Sequence, residues 1–371
     1  MNDIRDFYKS KKVLITGHTG FKGAWMCEEL IKLGAEVIGY ALNPPTDPSL
    51  FDLCGLKARI VSIEGDIRDF DHLKSVFDVY KPEIVIHMAA QPLVRESYKN
   101  PSYTYEVNVM GTVNILECIR LTDCVKSFVN VTTDKVYLNR ELNDAFKEDE
   151  MLCGFDPYSN SKSCSELVTY SYKNSFFAKN GNNEEGYTTA ITTCRAGNVL
   201  GGGDFATDRI IPDCIRAVSE GKEIIVRNPY STRPYQHVLE PVTAYLIIAM
   251  EQYLDIKKAG NYNIGPDDAD CVCTGDLVNL FCERWNKAIE NKKFSFNKAI
   301  RVDRFDNGPH EANFLKLDSS LVHKTFGFNN VWHIDEVMDR IVEWSISYLS
   351  NDNYQMVMEK QIDDYINRLY E

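Results

Sequence analysis

No apolar run in these 371 residues approaches the ~20 that a membrane-spanning helix needs. The first residues, Met1-Asn2-Asp3-Ile4-Arg5-Asp6, lack the apolar core of a signal peptide. Basic charge is not in excess either: the net charge is −13, which argues against a general nucleic-acid or anionic-membrane binder. Cysteine is present but without a framework. Eleven residues, an odd number without regular spacing, fit reduced thiols and a cytoplasmic address. Cys271 and Cys273 have no second pair or nearby His to complete a metal site, so no metal is expected. Internal repeats, low-complexity tracts and a clear linker are also missing. What remains is ordinary globular composition, 44% hydrophobic and 26% charged, long enough for a large α/β domain with a smaller one interleaved.

Residues 11–16 read as a short apolar strand, and Gly17-His18-Thr19-Gly20-Phe21-Lys22-Gly23 follows it. Residues 24–33 then recur at helical spacing, Gly34 reads as a helix stop, and residues 36–41 form a second strand. A glycine pattern between strand and helix is the context that makes it informative. The glycines allow a tight turn and close approach of a pyrophosphate, and the N–H groups at the helix start favour that anion. An acidic residue on the second strand would select NAD through the ribose 2′-hydroxyl. None stands between Val37 and Pro45, where Tyr40 occurs instead, so NAD is not separated from NADP locally.

Further strands are expected over residues 59–63, 84–88, 127–131 and 188–194, with helices over 70–80, 103–120 and from 158 to about 179, and a polar loop over 180–186. Alternation of this kind predicts a Rossmann-type, doubly wound parallel sheet, with ligands at the carboxyl ends of its strands. Thr132 to Lys135 falls at such an end. Tyr158 and Lys162 lie one helical turn apart on one face, so the ammonium can approach the phenol and lower its pKa, making Tyr158 a general base toward an alcohol. After residue 194 the texture changes. A glycine-rich stretch, 195–204, is followed by Arg209, Arg227, Arg233 and His237, cationic and amide groups suited to a phosphorylated ligand. Residues 276–285 and 334–349 have amphipathic helical spacing. The division expected is a dinucleotide-binding part over 1–194 and a mainly substrate-binding part over 195–371, with segments returning to the first.

Taken together, Gly17-x-x-Gly20-x-x-Gly23, Gly65-Asp66-Ile67, His87-Met88-Ala89-Ala90, Thr132-Thr133 and Tyr158-x-x-x-Lys162 resemble the extended short-chain dehydrogenase/reductase family. Within it the likeness runs to the CDP-glucose type of nucleotide-sugar 4,6-dehydratase. It is carried by residues 17–23, Ala89-Ala90-Gln91-Pro92-Leu93-Val94-Arg95, Thr133-Asp134-Lys135, residues 233–241, Gly265-Pro266-Asp267-Asp268, His310-Glu311-Ala312 and residues 315–318. Departures are few: Tyr235 stands where Trp is expected, Val136 where many relatives have Cys, and Lys22 where an apolar residue is common. Lys135 takes the place of the Glu of dTDP-glucose enzymes.

The resemblance implies an internal oxidation, elimination and reduction. Tyr158 would take the C4 hydroxyl proton, Lys162 would tune it and hold the nicotinamide ribose, and Thr133 would bond the C4 oxygen. Asp134 would be the acid and Lys135 the base of water loss across C5 and C6, against their solution preferences. NAD contacts would be Gly17, Gly20, Phe21, Gly23, Asp66, Ile67, Ala89, Ala90 and Asn108. The nucleotide diphosphate would meet Asn198, Arg209, Arg233 and His310. His87 reads as a strand-end core residue. The implied assembly is a homodimer through the helices over 103–120 and 159–179. Another nucleotide-sugar dehydratase or a 4-epimerase is the alternative on the same scaffold, and a 4-epimerase needs no elimination pair.

Overall fold

The computed structural model describes residues 2–140, 144–177, 188–290, 296–304 and 314–371. Seven strands form one sheet: β1 (Lys12–Thr16), β2 (Glu36–Ala41), β3 (Val61–Glu64), β4 (Ile84–His87), β5 (Ser127–Val131), β6 (Ala190–Ala196) and β7 (Asn261–Ile264). Their spatial order is β3-β2-β1-β4-β5-β6-β7 and every pairing is parallel. Order reverses between β1 and β4, so the carboxyl ends of those two strands open a crevice.

Successive strand side chains point to opposite faces, and both faces here are apolar. Val13, Ile15, Ile84, Ile86, Val129 and Val131 enter one core; Leu14, Ile38, Val85, Phe128 and Ile191 enter the other. Such two-sided burial is why these strands read as unbroken apolar runs rather than alternations. The second core is covered by α2 (Phe70–Tyr80) and α3 (Gly111–Arg120), the first by α1 (Phe21–Lys32) and by helices from the C-terminal half.

Several boundaries differ from the sequence expectation. The helix expected over 24–33 starts at Phe21, and β3 and β6 begin two residues later than expected. The helix expected over 103–120 contains a π-helical turn, Glu106–Met110, preceding α3. That expected from 158 is α4 (Pro157–Tyr172) followed by a π-turn, Lys173–Phe177; its last residues and the polar loop lie outside the described residues. α5 (Ile210–Glu220) precedes α6 (Leu239–Leu254), a helix without an amphipathic signature because it is buried nearly all round. It packs under β5 and α1, while α7 (Thr274–Glu290), α8 (Ile334–Leu349) and α9 (Tyr354–Leu369) complete the outer layer. Buried Glu240 of α6 accepts from Trp332 N at 2.8 Å and from the Tyr365 hydroxyl at 2.7 Å, tying α6 to the chain entering α8 and to α9. Among the described residues, three two-stranded pairs, Val199–Leu200 with Gln236–His237, Thr232–Pro234 with Cys271–Cys273, and Ile224–Val226 with Arg301–Asp303, form the smaller part. All eleven cysteines are free thiols.

Candidate active site

β5 runs one bond past its end, where Thr132 N donates to Cys194 O at 2.8 Å. The chain then turns sharply. Thr133, in an extended conformation, caps a 3-10 turn, Asp134–Val136, and its hydroxyl donates to Asp134 Oδ1 at 2.9 Å. Val136 and Tyr137 behind the turn are buried, and the Tyr137 ring stacks on Phe146 with centroids 4.9 Å apart. A core anchor on one side thus pushes Asp134 into the protein on the other. Its carboxyl is 2% exposed and Oδ2 has no hydrogen-bond partner. Burial raises the Asp134 pKa above the ordinary value, although Lys135, the Thr133 hydroxyl, Arg233 and Lys22 all pull the other way. A carboxyl shifted in that direction is suited to donate a proton. Lys135 is partly buried and lines the same cavity.

Asp156 caps α4, accepting from Ser159 N at 3.0 Å, with Pro157 at the first helical position. That fixes Tyr158 in the first turn, facing the Thr133 turn. The phenol is shifted opposite to the direction expected from its Lys162 neighbour. Burial, then the Asp134 and Asp156 carboxyls, push the phenol up to about 12 against a hydrogen bond with Thr133 and the Arg209 charge. The Lys162 ammonium is instead directed at Val131 O, 3.1 Å away, and is itself lowered to about 8 by burial and by Lys22. Helical spacing put the two residues on one face, but it could not say where a four-carbon stem ends. One turn further, buried Glu166 accepts from Thr132 Oγ1 at 2.6 Å and pairs with buried Arg195, whose Nε lies 2.9 Å from both carboxylate oxygens. Arg195 Nη1 also donates to the Tyr137 hydroxyl at 2.7 Å, so one ion pair holds both sides of the Thr132–Tyr137 segment.

The glycine turn meets β4 at the crevice. Gly17 has φ +81°, and a Cβ there would lie 2.8 Å from Ala89 N; a Cβ on Gly23 would lie 2.3 Å from Gly17 O. Only glycines allow the turn to close this tightly. Gly20 caps α1 without a side-chain acceptor, leaving the first-turn N–H groups of Phe21 and its successors available to an anion. This cradle fits a dinucleotide pyrophosphate. Ala89 N donates to Thr16 Oγ1 at 3.2 Å, and Ala89 and Ala90 are half-buried beside it. Asp66, after β3, pairs with Arg68 at 2.7 Å, and Ile67 packs against Gly111. Asn108 sits in the π-turn with its amide engaged within the protein. It accepts from Gln91 N at 2.8 Å and donates to Gln91 O at 3.1 Å and Ser161 Oγ at 2.8 Å, so it positions the loop after β4 against α4. His18 and His87 are core residues, with pKa values lowered by burial to about 4 and about 3.

A cavity of about 520 Å³ joins these parts. Thr133, Asp134, Lys135 and Tyr158 line it together with Asn198, Arg209 and Arg233 from the smaller part. Arg209 Nη1 is held by Asp204 Oδ2 at 2.9 Å, and Arg233 Nη1 donates to Thr232 O at 3.0 Å. His237 does not join them: it is buried between Trp25 and Trp332, ring centroids 5.5 and 4.8 Å away. His310 lies outside the described residues. Arg95, Asp204 and Asn228 line the cavity without having been singled out as site residues. Only the run Leu93-Val94-Arg95 and the Gly-Gly-Gly-Asp204 string hinted at two of them.

Residues 14–341 match the family described as GDP-mannose 4,6 dehydratase. The chain is 43% identical over 98% of its length to the CDP-glucose 4,6-dehydratase of Salmonella typhimurium, of which it covers 98%. Among solved structures, it resembles the dTDP-glucose 4,6-dehydratase of Bacillus anthracis in complex with NAD, with TM-score 0.72 and 18% identity over 94% of this chain and 100% of that one. A UDP-glucose 4-epimerase of Stenotrophomonas maltophila with bound NAD gives 0.75 and 20% over 92% and 99%. These structural likenesses bear on the fold.

Proposed function

The chain belongs to the GDP-mannose 4,6-dehydratase family, and from that premise we propose that it converts CDP-glucose to CDP-4-keto-6-deoxyglucose. The observation that carries the elimination is the buried, half-unpartnered carboxyl of Asp134 in one cavity with Tyr158 and Lys135. The base for CDP-glucose is the relative aligned over nearly the whole chain.

In this reading Gly17, Gly20, Phe21 and Gly23 hold the pyrophosphate of NAD, with Asp66, Ile67, Ala89 and Ala90 along the dinucleotide and Asn108 bracing the loop beside it. NAD held there would supply the hydride acceptor for C4 and the donor for C6, so no net reduced cofactor would appear. Tyr158, ionised once the positively charged nicotinamide lies beside it, would take the C4 hydroxyl proton while Thr133 bonds the C4 oxygen, and Lys162 would hold the nicotinamide ribose. The resulting ketone acidifies C5. Lys135 takes the C5 proton, and Asp134 gives its proton to the departing C6 hydroxyl, which leaves as water. Lys135 then returns its proton to C5. One turnover leaves Tyr158 with an extra proton and Asp134 without one. The Thr133 hydroxyl, bonded to both, offers the return path. Asn198, Arg209, Arg233 and His310 serve the nucleotide diphosphate.

The working division is residues 1–194 for the dinucleotide and mainly 195–371 for the substrate. The reading includes a cytoplasmic address and a homodimer pairing the helices over 103–120 and 159–179; exposed apolar side chains among their described residues, Met110, Leu167 and Tyr170 among them, support the pairing. No described helix is long and apolar enough to cross a membrane.

The test is incubation of the purified protein and NAD with CDP-glucose, dTDP-glucose, UDP-glucose and UDP-N-acetylglucosamine, read by mass for loss of one water. Tyr158→Phe and Lys135→Ala serve as controls. Dehydration of CDP-glucose alone is expected. Dehydration of another sugar instead would keep the mechanism and overturn the specificity; inversion at C4 without mass change would make the protein an epimerase.

A further inference from the structure

The turn that carries Asp134 and Lys135 is held only weakly by its own bonds. Val136 N lies 3.4 Å from Thr133 O, and Lys135 N lies 3.4 Å from Thr133 Oγ1. Both are beyond the ~2.7–3.2 Å of a well-formed bond. Beneath the turn Val136, Tyr137, Phe146, Leu315 and Leu317 form a small apolar cluster, separate from the two main cores. Where the acid and the base stand therefore depends on what grips the two ends of the turn.

Tyr137 grips the end that follows Lys135. Its ring is buried and stacked on Phe146, and its hydroxyl accepts from Arg195 Nη1 at 2.7 Å and donates to Asn263 Oδ1 at 2.6 Å. Arg195 and Asn263 stand opposite one another in the pairing of β6 with β7. Both side chains therefore leave the same face of the sheet and meet at one oxygen. Burial pushes the Tyr137 phenol up, so it keeps the proton that it shares with Asn263. Asn263 is fixed in its turn, its Nδ2 donating to Phe146 O at 2.8 Å and its N–H to the Glu148 carboxylate at 2.9 Å. Thr132 grips the other end through Cys194 O and Glu166. Glu166 lies about two helical turns beyond Tyr158 on α4 and pairs with the same Arg195. The helix carrying Tyr158 and the turn carrying Asp134 are thus registered on one buried guanidinium.

We propose that Tyr137 is a positioning residue for the elimination, setting, with Thr132 at the opposite end, where Asp134 and Lys135 stand relative to Tyr158. This rests on the function proposed above. In that reaction the acid and the base must reach C6 and C5 of the same bound sugar on which Tyr158 has worked at C4. A misplacement of about 1 Å can cost about 100-fold in rate. Tyr137 lies behind the cavity wall, so it acts through the turn and not on the substrate.

Dehydration of CDP-glucose by the full chain with NAD tests the assignment in wild type, Tyr137→Phe, Thr132→Val and Thr132→Ser, with absorbance at 340 nm followed in the same runs. Tyr137→Phe keeps the stacked ring and removes the hydroxyl; Thr132→Val keeps the shape of the side chain and removes its bond to Glu166. Each is expected to lower kcat by about 10- to 100-fold with KM within about threefold of wild type. In Tyr137→Phe, absorbance at 340 nm should also build up during turnover, because oxidation at C4 runs ahead of a misplaced elimination. Thr132→Ser, which retains the bond to Glu166, should stay within about threefold of wild type in kcat. A merely structural tyrosine would lower the urea midpoint and leave kcat per folded molecule and the 340 nm trace as in wild type. That result would overturn the positioning role and leave the proposed function standing. Should Tyr137→Phe fail to fold, Thr132→Val against Thr132→Ser decides, and equal kcat for the two would overturn it. A wild type that dehydrates no nucleotide sugar would overturn both.

Discussion

Replacing Asp134 with Asn separates a catalytic carboxyl from a structural one, because the two roles move stability in opposite directions. The side chain is 2% exposed; Thr133 donates to Oδ1, and Oδ2 has no partner. A buried polar group without its hydrogen bond costs about 1–3 kcal/mol, and more when charged. Lys135, Arg233 and Lys22 offset part of that, so removing the charge should stabilise the protein by about 1 kcal/mol at pH 7. The pH dependence follows from the sign of the shift. With its pKa raised above 3.8 on folding, Asp134 holds its proton in the folded chain after the unfolded chain has lost it. The carboxyl therefore costs nothing well below 3.8, its penalty grows as the pH rises toward the folded-state value, and above that the full penalty applies. At about 2.1 cal/mol/K per residue, 1 kcal/mol moves the Tm of a chain this long by only ~1 °C. Urea unfolding at several pH values is thus the better assay. Expected is a rise in unfolding free energy for Asp134→Asn at pH 7 that shrinks as the pH falls toward 3.8. Turnover should drop by roughly 10²- to 10⁴-fold, as for loss of a general acid. Absorbance at 340 nm should then persist, because oxidation at C4 outlives the blocked elimination. A variant less stable than wild type at pH 7 that still dehydrates its substrate would refute the reasoning.

Titration of absorbance at 295 nm, taken as wild type minus Tyr158→Phe, should find the Tyr158 phenol ionising only near pH 12, with added NAD moving it down; ionisation below pH 10 in the protein alone would contradict the burial argument. Glu166→Gln leaves the Arg195 cation buried without its counter-charge and should cost about 3–5 kcal/mol in urea unfolding, as for breaking one side of a buried pair. Gly23→Ala forces a Cβ to within 2.3 Å of Gly17 O, so the turn must open. A stability loss of about 1–3 kcal/mol is expected from that strain, with NAD affinity in titration calorimetry falling in parallel.

The parts legible in the sequence share one property: each is written within a few consecutive residues. A strand, a glycine turn and a helix adjoin between Lys12 and Lys32, and the apolar runs of β4 and β5 signal two-sided burial without reference to anything distant. The amphipathic spacing of residues 334–349 matches α8 to the residue. Where local pattern and burial part company, the reading fails. Helix α6 is apolar on every face and has no stripe to detect. His237 sits among arginines in the sequence, yet its backbone leads it between Trp25 and Trp332. Asn108 follows the β4 loop by less than two dozen residues, but only the π-turn reveals that its amide is engaged by Gln91 and Ser161.

By itself, then, the sequence determined the order of strands and helices, the glycine cradle and the Tyr158–Lys162 spacing, because hydrogen-bond geometry along the chain is set by neighbours. The tertiary structure alone decided the electrostatics. Whether Tyr158 is pushed up or down, whether Asp134 keeps a proton, and whether Lys22 faces Arg209 or water depend on burial and on charges carried by other elements of the chain. Such sums over distant side chains take a value only once the sheet has brought the carboxyl ends of its strands together beneath the smaller part.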